Sequence, residues 1–143
     1  MGIFFYSEQY AKIIKNKTLL KKWIKELIVS ENKIPGNITF IFTDDDYLSE
    51  LNKQYLKHNT LTDIITFDYT AENKGKISGD IFISITRVEE NAVKFKVPFN
   101  QELNRVMAHG VLHLIGYRDK TKAEKQLMRQ KEDNSLSLLK KLN

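Results

Sequence analysis

The chain has 143 residues, of which 41% are hydrophobic and 29% charged, a balance typical of a folded globular protein. A chain of this length predicts a single domain over residues 1–143. The absence of cysteine excludes disulfide partners and thiolate metal ligands. No apolar stretch approaches the roughly 18 residues of a membrane span, and the start of the chain lacks the basic region of a signal peptide. We therefore expect a cytoplasmic protein with no membrane partner.

The formal net charge of +5 is compatible with two roles. A basic surface attracts a polyanion such as RNA or DNA. The same lysines could simply keep the protein in solution. Net charge alone does not distinguish these interpretations.

Hydrophobic periodicity predicts two strands and two helices in the first half of the chain. Ile3–Tyr6 is apolar and aromatic, which favours a strand. Residues 18–29 place apolar side chains on one helical face and lysines on the other. Residues 38–42 are almost continuously apolar, which predicts a central strand buried on both faces. The acids at 44–46 then cap a second helix, an interpretation we favour over metal ligation.

The second half predicts an antiparallel strand pair followed by three helices. The strands cover residues 63–69 and 81–85, the latter entered through Gly79 and Asp80, and the short loop between them favours antiparallel pairing. Helices are expected over residues 84–95, over Phe99–Ile115 and after a capping box at 121–124. Crossover helices make the early strands parallel. The predicted fold is α+β, a mixed four-stranded sheet flanked by helices.

Two histidines stand four residues apart, His109 and His113, in a ten-residue run that contains no charged residue. On a helix both imidazoles point to the same side, so they can bind one ion. The alternative is a pair of ordinary buried histidines, each of which would need its own hydrogen-bond partner. Gly116 is well placed to end the helix, and Asp119 can then return as a third ligand. Three protein ligands with one open position are typical of a catalytic zinc site.

This spacing is that of the H-E-x-x-H-x-x-G-x-x-H metallopeptidases, with Asp119 in the third ligand position. Those peptidases carry a glutamate beside the first histidine as general base. Here that position is Gly110. The pattern therefore predicts the metal site, on a central helix, without the peptidase base.

The segment from His109 to Tyr117, HGVLHLIGY, resembles the H-G-x-L-H-L-x-G-Y-D-H signature of the YbeY family. Further similarity follows in the same order in the blocks Leu51-Asn52-x-x-Tyr55, residues 62–67 and residues 79–84, and Met128 and Glu132 fit the C-terminal pattern. The resemblance implies a zincin-like fold and one Zn²⁺ per chain. It also implies an endoribonuclease for single-stranded RNA that acts in 16S rRNA 3′-end maturation and ribosome quality control, with rRNA or the 30S subunit as partner.

Two positions depart from the family pattern. Asp119 stands where the family has a third histidine, and carboxylate oxygen is a competent zinc ligand that shifts the site towards harder ions. Leu56 stands where the family usually has an arginine implicated in RNA cleavage. We expect Lys57, or His58 beside it, to supply the positive charge to a phosphate, with a metal-bound water as nucleophile.

Three further side chains carry open alternatives. Asp63 and Asp80, at the predicted strand starts, either orient a ligand histidine from behind or satisfy backbone groups in turns. Arg105 either reaches the cleft or pairs with Glu102 on the helix surface, and the surface pair is favoured.

Three function classes compete. The first is a metal-dependent RNA hydrolase, favoured by the family resemblance and the basic charge. The second is a metallopeptidase, disfavoured by Gly110. The third is a non-catalytic ribosome-assembly factor with a structural metal, although structural sites are usually closed by four protein ligands.

Overall fold

The computed structural model describes residues 2–7, 13–56 and 62–143. Its helices and strands follow the predicted order. The strands are β1 (Ile3–Tyr6), β2 (Pro35–Thr43), β3 (Ile64–Asp68) and β4 (Ile77–Ser84). The helices are α1 (Lys17–Ser30), α2 (Asp45–Leu51), α3 (Ile85–Phe95), α4 (Phe99–Ile115) and α5 (Lys122–Leu142). A π-helical turn over Asn52–Leu56 continues α2, and a 3₁₀ turn over Ala71–Asn73 joins β3 to β4.

The four strands form one mixed sheet in the order β1-β2-β4-β3. β2 is parallel to both β1 and β4, and β3 is antiparallel to β4, which confirms the predicted α+β architecture. β2 is central, as predicted, but only one of its faces is fully buried. Ile38, Phe40 and Phe42 point into the core, whereas Ile41 on the opposite face is half-buried. The prediction of burial on both faces was wrong because the helices that form the core cover one side of the sheet.

β4 begins at Ile77, so the prediction that Gly79 and Asp80 form the entry to this strand was wrong. Both residues lie inside it. A Cβ on Gly79 would stand 2.4 Å from the carbonyl oxygen of Phe67 and 2.9 Å from Leu114 Cδ2. The glycine therefore serves close packing of β3 and α4 against β4, and not a turn.

The core lies between the sheet and α1, α4 and α5. Trp23 of α1 is fully buried, and its Nε1–H donates to the Ser135 carbonyl of α5 at 2.7 Å. Met107 and Val111 of α4 are also fully buried. Burial on this scale stabilises the fold by about 1.5–3 kcal/mol for each large apolar side chain. These contacts hold α4, the helix that carries both histidines, against the rest of the core. Among the described residues, no helix has the length and apolarity needed to cross a membrane.

Candidate metal centre

Gly110 sets how closely α4 approaches the sheet. A Cβ at this position would lie 2.8 Å from both Ile64 Cδ1 and Ile81 Cγ2, so the helix backbone packs directly on β3 and β4. His109 precedes this contact and His113 follows it by nearly one turn. Their imidazoles project beside edge strand β3 and keep 21% and 26% of their side-chain surface exposed. The sequence therefore places both rings at the rim of the core, facing solvent.

α4 ends at Gly116, as predicted, with a φ of 124° that only glycine adopts without strain. The N–H of Gly116 donates to the carbonyls of Leu112 and His113 at 3.1 and 3.0 Å, and Tyr117 N–H donates to Leu112 at 3.0 Å. These bonds satisfy carbonyls that the helix end would otherwise leave unpaired. The chain then reverses and carries Asp119 back to the two histidines.

The three predicted ligands meet at one point. Asp119 Oδ2 lies 3.1 Å from His109 Nε2 and 3.4 Å from His113 Nε2. The two Nε2 atoms are 2.9 Å apart. The ligand atoms of the three side chains all lie within 4.8 Å of one another, a spacing that could hold a metal ion.

Each imidazole is oriented by a bond to its other ring nitrogen. His109 Nδ1–H donates to Glu132 Oε2 at 2.5 Å, and His113 Nδ1–H donates to the Tyr117 carbonyl at 3.0 Å. A carbonyl can only accept, so Nδ1 of His113 carries the hydrogen, and the Glu132 carboxylate sets the same tautomer in His109. The lone pairs of both Nε2 atoms therefore face each other and a carboxylate. This arrangement is electrostatically unfavourable unless a proton or a cation lies between them, so the donor set fits a metal ion.

Glu132 belongs to an ion-pair network that reaches His109 from α5. Its side chain is only 8% exposed, and Arg105 donates to its Oε1 at 3.0 Å and to Asp133 at 2.8 Å. The favoured pairing of Arg105 with Glu102 was therefore wrong. Glu102 is buried, and the guanidinium reaches across to α5 instead. Arg105 therefore holds one carboxylate oxygen of Glu132, and the other oxygen of the same carboxylate supports the ring of His109.

The two histidines have opposite pKa shifts. Burial alone would lower the pKa of His109, but the hydrogen bond and the charge of Glu132 outweigh burial and raise it. Burial lowers the pKa of His113, and the neighbouring charge of His109 lowers it further. A proton bound by one ring therefore disfavours a second proton on the other, as expected for two groups that share one cation position.

His109, His113 and Asp119 line an open cleft of about 490 Å³ between α4, β3 and the segment before β3. Asp63 also lines it, and burial raises the pKa of this carboxyl group. Lys120, which directly follows Asp119, lines the same cleft. Asp80 does not, because it lies on the other face of β4, where its Oδ2 accepts from the Tyr69 hydroxyl at 3.4 Å. Lys57 and His58 lie outside the described residues.

Sequence reasoning gave two of these residues no role in the site. Glu132 was noted only as part of a family pattern, because nothing in local spacing connects it to a histidine 23 residues away. For Lys120 the sequence offers one signal: it directly follows Asp119, a predicted ligand that returns to the cleft.

Comparison with known proteins identifies the family. A family model described as "Endoribonuclease YbeY" matches residues 5–140. The chain is 56% identical over 125 residues to an "Endoribonuclease YbeY" of Flavobacterium psychrophilum, covering 87% of this chain and 88% of the relative. It is 50% identical over 135 residues to the protein of the same name from Flavobacterium johnsoniae, with 94% of each chain covered.

A solved structure shares the fold. The solution structure of TM1509 from Thermotoga maritima matches with a TM-score of 0.61 and 27% sequence identity, over 96% of this chain and 87% of that one. The family model, the close relatives and the fold agree with each other and with the resemblance of the histidine motif. The chain belongs to the YbeY endoribonuclease family.

Proposed function

We propose that this chain is a metal-dependent endoribonuclease that cleaves single-stranded RNA. One observation carries the proposal: His109 Nε2, His113 Nε2 and Asp119 Oδ2 converge at the floor of an open cleft. A relative that is 56% identical is named an endoribonuclease, which supports RNA as the substrate. A formal net charge of +5 favours a polyanionic substrate as well.

The ligand count favours a catalytic metal over a structural one. Three protein ligands leave a coordination position open, whereas structural zinc is usually closed by four. Asp119, with 39% of its side chain exposed, leaves the ligand group open to the cleft. A non-catalytic assembly factor with a buried structural ion is therefore the weaker proposal.

A metallopeptidase is disfavoured by packing as well as by composition. The peptidase general base would replace Gly110, where even a Cβ would meet Ile64 and Ile81 at 2.8 Å. A glutamate at this position would be forced against the sheet and away from the cleft. The contact that holds α4 to the sheet therefore excludes a base on the side chain of residue 110.

In the proposed mechanism each side chain has one task. His109, His113 and Asp119 would hold the ion, which when bound acts as a Lewis acid that lowers the pKa of a coordinated water and polarises a phosphoryl oxygen. Glu132 and the Tyr117 carbonyl keep both Nε2 atoms aimed at that point.

Three further residues would act on the substrate. Lys120 lines the cleft and would neutralise charge that develops on the phosphate. Lys57, the contact predicted from sequence, is proposed to assist it. Asp63 has a raised pKa within the cleft and is suited to accept a proton there.

We propose Zn²⁺ as the ion, one per chain. Two imidazole nitrogens and one carboxylate oxygen form a ligand set of the kind found in catalytic zinc sites. An oxygen in place of the third nitrogen also increases tolerance for harder ions such as Mn²⁺. Substitution of Asp119 by histidine would therefore narrow the metal preference.

By family resemblance we further propose that the substrate is rRNA. The chain would act in 16S rRNA 3′-end maturation and ribosome quality control, on the 30S subunit and in the cytoplasm. Mapping of 16S rRNA 3′ ends in depleted cells, with and without rescue by His113→Ala, tests this assignment. Rescue by a variant that binds no metal would contradict a catalytic role.

The direct test is an RNA cleavage assay on single-stranded and duplex RNA with added Zn²⁺ or a chelator. We expect cleavage of the single strand only, lost with chelator and in His113→Ala, and no hydrolysis of casein. Chelator-insensitive cleavage would contradict the proposal, and casein hydrolysis would favour the peptidase.

A further inference from the structure

Tyr117 connects the metal ligands to a part of the molecule outside the cleft. Its carbonyl orients His113, and it stands in the turn between Gly116 and Asp119. Its side chain, in contrast, points away from the cleft towards α1 and α5, where its hydroxyl donates to Glu31 Oε1. One residue thus supports a ligand with its backbone and is itself anchored by its side chain.

The anchor is a charged pair that holds the ring from two sides. Lys131 Nζ donates to the other carboxylate oxygen, Glu31 Oε2, at 3.0 Å. The same ammonium lies 5.3 Å from the centroid of the Tyr117 ring, within the range of a cation–π contact. Glu31 and Lys131 are 17% and 27% exposed, so solvent screens this pair less than an ordinary surface pair.

Glu31 is fixed by the backbone as well. It ends α1, where its N–H donates to the Ile28 and Val29 carbonyls. Burial alone would raise the pKa of Glu31, but the hydrogen bonds from Tyr117 and Lys131 outweigh burial and lower it. Neither Glu31 nor Lys131 lines the metal cleft. Their contacts therefore have no direct part in ligation or in phosphate binding.

We propose that Tyr117, Glu31 and Lys131 form a latch that positions His113 and Asp119 for metal binding. The inference rests on the proposed metal site, and it adds residues that touch neither metal nor substrate. Lys131 is the member of the latch that lies on α5, and the next residue of this helix, Glu132, supports His109. Two neighbouring residues of α5 thus act on the proposed site in two ways. Glu132 bonds His109 directly, whereas Lys131 bonds Glu31, which in turn holds Tyr117.

The test measures metal affinity of the full chain with Zn²⁺ and Co²⁺, by competition with a chromophoric chelator. Tyr117→Phe removes the hydroxyl, and Glu31→Gln removes the charge and replaces one of the two accepting oxygens with an NH₂ donor. We expect each to weaken metal binding about tenfold, the lower end of the range for groups that support ligands. The double variant should be no weaker than either single variant, because both break the same route. The visible absorption of bound Co²⁺ should change in both.

Matched controls separate positioning from general stability. Tyr69→Phe loses a hydroxyl–carboxylate bond on the far face of β4, and Glu26→Gln removes an exposed acid from α1. Both should bind metal like the wild type.

Metal affinity unchanged in Tyr117→Phe and Glu31→Gln, while Asp119→Ala loses metal, would overturn the latch alone. Affinity unchanged in all three would overturn the proposed site. A lower melting temperature with wild-type metal affinity would identify a purely structural contact and also overturn the latch.

Discussion

The two histidines of the proposed centre are held in different ways. His109 is supported by a charge: Glu132, buried and paired with Arg105, accepts its Nδ1–H at 2.5 Å. His113 is supported by a neutral carbonyl in the turn after Gly116, at 3.0 Å. The first ring has a raised pKa and the second a lowered one. One ligand thus depends on an electrostatic network within the helices, and the other on the geometry of a turn.

The largest expected effect comes from breaking the charged support. Glu132→Gln should weaken metal binding by about 10–100-fold. The amide can present either its oxygen or its NH₂ group to Nδ1, so it does not impose one tautomer on His109, and it carries no charge to increase the basicity of the ring. Asp133→Asn is the matched control, since Asp133 also bonds Arg105 but does not touch His109. Isothermal titration with Zn²⁺ compares the two variants. Equal losses would show that Arg105, and not Glu132, is the important group.

The pH dependence of metal binding should follow the protonation of His109, the histidine that Glu132 supports. Protons compete with the metal for Nε2, and the raised pKa of His109 lets this competition begin at a higher pH than for an ordinary imidazole. Metal affinity should therefore fall as the pH is lowered through that pKa.

In Glu132→Gln the influence that raises the pKa of His109 is absent, so the fall should begin at a lower pH. NMR titration of the two imidazoles in metal-free protein gives the pKa values, and chelator competition gives the affinities. An unchanged onset in the variant would contradict the assigned role of Glu132.

A smaller effect is expected at the cleft rim. Lys120→Ala should weaken RNA binding several-fold and reduce the slope of log affinity against log salt by roughly 1, because one phosphate contact is lost. Metal affinity should not change. Lys125→Ala, an exposed lysine of α5 that does not line the cleft, is the control. Equal losses in the two variants would indicate a diffuse electrostatic attraction.

The smallest effect concerns the packing that presents both histidines. Gly110→Ala should lower the free energy of unfolding by roughly 1 kcal/mol, since over-packing against Ile64 and Ile81 outweighs the gain in helix propensity. Urea denaturation measures it. A more stable variant would show that the sheet can move aside, and would weaken the packing argument against a peptidase base.

Periodicity and local signals predicted most of the fold. α4 runs over the predicted residues and stops at Gly116, because an apolar stripe and a glycine in a left-handed region are local features. Gly79 was misjudged because sequence cannot tell a glycine needed for a turn from one needed for close packing. The entry into β4, and with it the position of Asp80, was wrong for this reason.

In the candidate site, too, the features encoded by nearby residues could be predicted from the sequence, and those that depend on tertiary packing could not. His109, His113 and Asp119 could be proposed from spacing because eleven residues of helix and turn hold all three. The residues that support these three side chains could not be predicted, because Glu132, Glu31 and Lys131 belong to segments distant in sequence. Their contacts exist only after α1 and α5 pack against α4.

The central claim is that His109, His113 and Asp119 form one metal site, and metal analysis of purified protein tests it most directly. Wild type and Asp119→Ala are compared for bound Zn²⁺ and for affinity, with Asp119→His as the variant that restores a ligand. We predict one ion per chain in the wild type and in Asp119→His, and marked loss of the ion in Asp119→Ala. Unchanged stoichiometry and affinity in Asp119→Ala would contradict the three-ligand centre.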